Sequence, residues 1–171
     1  MRARFLHIAM VCFLGGQLNA QTVEERLKWA RANIDAHASM RFSGSFSDAA
    51  AGLNETTWHV TRIEGCLIEL KQTWLREPRE GRTVEYSLDL STLHPEDVMH
   101  DISTGLPHVK IFAQSDVFRL STRSTAGWSG ESTARNLWMY FDSPSADNAA
   151  VVKKVAKALR GAISQCRGYQ R

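Results

Sequence analysis

An α+β fold is what this sequence predicts: about seven antiparallel strands in a bent sheet, closed by a C-terminal amphipathic helix and preceded by an N-terminal helix. Three observations carry that expectation. Apolar residues alternate by two through much of residues 58–141, the period of strands with one buried face. Val152, Val155, Ala156, Leu159, Ile163 and Cys166 then fall on one helical face,. Near the start, Thr22-Val23-Glu24-Glu25 sets a hydroxyl three residues ahead of a carboxylate and opens a second helical run,. The chain of 171 residues is 43% hydrophobic and 23% charged, which excludes collagen-like, disordered and multi-span membrane architectures.

Residues 1–20, MRARFLHIAMVCFLGGQLNA, have two arginines, an apolar run over 5–14 and a small residue, Ala20, before the polar Gln21. They read as a secretory signal peptide, with the mature chain expected to begin at Gln21 and to carry no transmembrane segment, since the apolar run is too short to span a bilayer. Met10-Val11 precede Cys12 where a lipoprotein needs small residues. The protein is therefore expected to be exported, periplasmic or secreted. The formal charge of +3 falls to +1 without Arg2 and Arg4, which is no nucleic-acid footprint. Cys66 and Cys166 remain as an even pair, expected to form a disulfide in an oxidising compartment; the alternative is two small buried residues.

Along the mature chain, Val23, Leu27, Ala30 and Ile34 predict a helix over 23–37,. Residues 38–54, rich in Ser, Gly and Ala, read as a loop anchored by Phe42 and Phe46,. The organisation expected is thus a leader (1–20), a helix with its loop (21–54) and a sheet domain (55–171). Trp58 and Val60 open a strand, Glu64-Gly65 turns, and Cys66, Ile68, Leu70 and Trp74 share one face of the next. A charged loop over 76–82 leads to Val84, Tyr86, Leu88 and Leu90, alternating with Glu85, Ser87 and Asp89. His94-Pro95-Glu96-Asp97 predicts a turn and 98–102 a short edge strand. Runs 109–114 and 117–122 are expected to form a hairpin through Ser115-Asp116,. Residues 124–135 read as a polar connection. Leu137, Met139 and Phe141 alternate with Trp138 and Tyr140, as in a strand partly covered on both faces,. Ser143-Pro144 is the expected cap of the last helix and Gly168 its stop.

Seven short strands ended by one helix resemble the pleckstrin-homology (PH) superfold. Three stretches sharpen the likeness: GCLIEL at 65–70, YSLDLSTLHPEDV at 86–98 and AVVKKVAKALRGAISQC at 150–166. They are similar to small exported bacterial proteins with a PH-like domain of unknown role. The resemblance implies a fold and no active site. A phosphoinositide site would need clustered Lys and Arg between the first two strands, where this chain has Ile63-Glu64-Gly65.

No metalloprotease, phosphate-loop or dinucleotide motif is present, so no cofactor is expected. Gly127-Trp128-Ser129-Gly130-Glu131 misses a nucleophile elbow at its last position. His94, Glu96, Asp97, His100, Asp101 and His108 are the densest polar set and carry one alternative function, a small metal-dependent hydrolase. The preferred expectation is a non-catalytic exported binding module whose partner is a protein or peptide of the cell envelope. A third is an envelope assembly factor using the 23–37 helix. The candidate binding edge is the 109–114 strand, with Val109 and Ile111 inward and Lys110, Phe112 and Gln114 outward.

Overall fold

The computed structural model describes residues 22–43, 53–76, 80–102, 106–143 and 146–168. The expected leader and its cleavage point, the anchor at Phe46 and the tip of the charged loop at 77–79 lie outside them. The chain runs α1 (Val23–His37), β1 (Ser39–Ser43), β2 (Leu53–Glu64), β3 (Leu67–Arg76) and β4 (Glu80–Asp89). Two 3-10 turns, Leu90–Thr92 and Pro95–Asp97, lead to β5 (Val98–Asp101), β6 (His108–Phe112), β7 (Phe118–Ser124), β8 (Ser129–Ala134), β9 (Asn136–Tyr140) and α2 (Asn148–Gly168).

Helix α1 begins where the capping box predicts: Glu25 N donates to Thr22 Oγ1 at 3.2 Å and Thr22 N to Glu25 Oε2 at 2.9 Å. It buries Leu27, Ala30 and Ile34. The loop expected at 38–54 is instead occupied in part by β1, paired antiparallel from Ser39↔Thr57 to Ser43↔Leu53. Ahead of β1's first residue, the end of α1 continues the pairing of β2. Trp58 N donates to Ala38 O at 2.9 Å, and Val60 N to Asp35 Oδ1 at 2.7 Å, so strand amides that would otherwise be orphaned find acceptors.

Among the described residues nine strands form two antiparallel sheets rather than one sheet of seven. The larger has the order β1-β2-β3-β4-β7-β8 and the smaller β5-β6-β9. Strands β2 and β3 meet through a turn that includes Gly65 at φ +56°, a backbone state that favours glycine. The hairpin expected through Ser115-Asp116 is absent: β6 and β7 are consecutive in sequence but belong to different sheets. The polar connection expected at 124–135 is largely β8, paired from Phe118↔Ala134 to Arg123↔Ser129. Its alternation is invisible in the sequence because none of its residues is buried.

Helix α2 buries Val152, Val155, Ala156, Leu159, Ala162, Ile163 and Cys166, the expected face plus Ala162. Its first-turn amide, Ala150 N, is capped by Asp147 Oδ1 at 3.1 Å rather than by Ser143. Ser143 N instead donates to Asn148 Oδ1 at 3.2 Å. One buried cluster joins α1, α2 and both sheets, with Trp58, Phe118 and Phe141 among its largest members. The helix of 21–54 therefore packs into the same core as the rest, and β1 joins the larger sheet by pairing with β2. Cys66 and Cys166 form a disulfide with Cα atoms 5.8 Å apart across a sequence separation of 100. It ties the β2–β3 turn to the last turns of α2 and is compatible with an oxidising compartment.

Candidate functional site

The outer face of the smaller sheet follows from its register. Met99 pairs with Lys110, and Lys110 with Trp138; Asp101 pairs with His108, and His108 with Tyr140. These residues share a parity, and of the alternate set Val98, Val109, Ile111, Leu137 and Met139 are fully buried, with His100 exposed on the edge strand. The inner residues are held by the core, so the outer row has no freedom to turn inward. Seven large apolar side chains among the described residues are exposed. Four of them belong to this sheet or its immediate end: Met99 (43%), Ile102 (40%), Phe112 (46%) and Trp138 (37%). That concentration distinguishes a patch from the scattered exposed hydrophobics normal on any surface.

The row is cross-braced. Lys110 Nζ lies 4.4 Å from the centroid of the Trp138 ring and 5.0 Å from that of Phe112. The His108 imidazole stacks on Trp138 at 5.1 Å and tilts against Tyr140 at 5.3 Å. His108 Nδ1 is 3.1 Å from Leu106 O. An ammonium between two rings gains cation–π attraction and carries charge into an aromatic surface.

Two of the three residues expected to form a binding edge stand here. Lys110 and Phe112 point outward as expected, and Gln114 is exposed just beyond the strand. The edge itself is a misreading: β6 is the central strand, bonded to β5 on one side and β9 on the other, so it has no unpaired backbone to offer a peptide strand. What it presents is a side-chain face. Trp138, Tyr140, His108 and Met99 complete that face and were not among the candidates. The signal for them was the Trp138/Tyr140 alternation in β9, which read as a covered second face.

The histidines proposed for a metal are held apart by different partners. His94 Nδ1 lies 3.5 Å from Glu96, while its backbone N donates to Asp97 Oδ2 at 2.8 Å. Nδ1 of His100 lies 3.4 Å from an Arg160 nitrogen, and His108 belongs to the aromatic row. Among the described residues no three His, Cys, Asp or Glu side chains are grouped to hold a metal ion.

A cavity of about 880 Å³ opens elsewhere, on the larger sheet, lined by Thr61, Glu69, Glu85, Arg119, Ser121 and Glu131 among others. Tyr86 also borders it. Burial pushes the Tyr86 phenol up to about 12, with Arg82 partly offsetting the shift, and its hydroxyl donates to Gln72 Oε1 at 2.8 Å. Because the folded state holds this proton more tightly than the unfolded chain, the associated stability is fully present below about pH 10 and is lost as pH rises toward about 12. Alkaline unfolding should show that slope, and Tyr86→Phe should flatten it. An unchanged slope in the variant would assign the loss to other groups.

Compared with known proteins, the chain matches no family, no curated protein and no solved structure.

Proposed function

We propose that the protein is a non-catalytic exported binding module that engages an envelope component through the outer face of β5-β6-β9. The observation that carries this reading is the clustering of the exposed Met99, Phe112 and Trp138 around Lys110. Exposing that much apolar surface in one place costs solvation and invites association, so it is retained where something covers it. The PH-like part of the reading rests on the resemblance at 65–70, 86–98 and 150–166. Antiparallel sheets with a C-terminal helix packed on their core support it. The interleaved strand order, with β7 beside β4 and β9 beside β6, counts against it.

The test is comparative capture from envelope extract with wild-type protein and Phe112→Asp, quantifying bound protein, glycan and lipid. Phe112 is 46% exposed, so the substitution should leave the fold intact, which circular dichroism checks. A selective loss of at least about tenfold, on the order of 1.4 kcal/mol, is the expected result. Equal capture by both proteins would remove this face from consideration.

A further inference from the structure

Resting on that assignment of the site, we infer that the face seats on an anionic bilayer surface. Three features select this occupant. The first is the presentation of the rings. Lys110 and His108 both lie against the Trp138 ring, which reduces the free ring face that stacking a sugar needs. The second is the chemistry of the patch: Met99 and Phe112 project beside a lysine, a tryptophan and a tyrosine. Apolar side chains that enter the acyl boundary, together with Trp, Tyr and Lys at head-group level, are the composition of an interfacial contact.

The third is charge. Helix α2 carries Lys153, Lys154, Lys157, Arg160 and Arg167 and no carboxylate, in a chain otherwise close to balance. Its Arg160 Nε donates to Val98 O at 2.7 Å, and Arg167 donates to Leu93 O at 3.3 Å. Arg160 therefore reaches from α2, which packs on the buried face of this sheet, to the free edge of β5. Lys153 falls seven residues before Arg160, on the same helical stripe. Attraction to anionic head groups acts over a Debye length of roughly 8–10 Å, so these cations contribute without direct contact. On the other sheet the cavity lining, Glu69, Glu85 and Glu131 with Arg119, is net acidic, whereas the β5-β6-β9 face carries Lys110 beside Asp101 and has Arg160 at its edge,.

The test uses the exported protein purified from its envelope. It is mixed with vesicles of equimolar phosphatidylglycerol and phosphatidylethanolamine, and in parallel with phosphatidylcholine vesicles, and sedimented. Binding to the anionic vesicles alone, weakened at least about tenfold in Phe112→Asp and in Lys110→Glu and unchanged in Trp128→Ser, is the expected result. A blue shift of tryptophan emission on binding that Trp138→Phe removes would place this face at the interface. Binding indifferent to Phe112 and Lys110 would overturn the inference and point to a contact elsewhere in the chain. Absence of vesicle binding, with Phe112-dependent capture of a protein or an acidic glycan from extract, would overturn it while leaving the site standing. Phe112-dependent self-association without vesicle binding would overturn it in favour of a second copy. Absence of both vesicle binding and extract capture in the wild-type protein would remove lipid and site together.

Discussion

Replacing both Cys66 and Cys166 with alanine is expected to lower the stability of the protein by about 4 to 5 kcal/mol, the chain-entropy value for a loop of about 100 residues. The bridge spans 100 positions and joins the β2–β3 turn to a helix that covers a different sheet, so cutting it frees a large fraction of the unfolded ensemble. Cys66 O also accepts from Leu90 N at 2.9 Å, which leaves that end of the bridge held by backbone after the substitution. Denaturant unfolding of oxidised wild type against the double variant measures the effect. A difference under about 1 kcal/mol would show that the cysteines behave as two buried apolar residues.

Leu27→Ala should cost about 2 to 5 kcal/mol, as for fully buried leucines elsewhere. Leu27 is 0% exposed and belongs to the common core. The informative part is the shape of the transition. If α1 is integral, far-ultraviolet dichroism and tryptophan emission shift together to a lower midpoint. An α1 acting as an appendage would lose helicity and leave the midpoint of the sheets in place.

What was legible in the sequence was local. The Thr22/Glu25 cap, the apolar face of α2 and the alternation in β3 and β4 each reside within one element, and each is where periodicity placed it. What was illegible depended on pairing between distant segments. Ser129–Ala134 has no buried residue, so β8 is a strand only because β7 offers it a ladder. Residues 109–114 looked like an edge because their second neighbour, β9, lies about 30 residues onward,. The candidate site shows the same division. Lys110 and Phe112 were visible from alternation within β6, whereas Met99 and Trp138 join them only through the register of three strands.

The interleaving of the two sheets sets an order of events for a chain that emerges from its N-terminus. Strand β4 waits for β7 while β5 and β6 are made between them, and β6 in turn waits for β9. The larger sheet is complete only once Ala134 has appeared and the smaller only once Tyr140 has, which gives the fold a high contact order and few stable partial products. Throughout that interval Cys66 is a thiol without its partner, because Cys166 arrives 100 residues later. The chain has three cysteines, and the only other candidate for mispairing, Cys12, arrives first. The native bridge can therefore close only once the end of α2 has been made, and any earlier oxidation of Cys66 has to be undone by thiol–disulfide exchange first,.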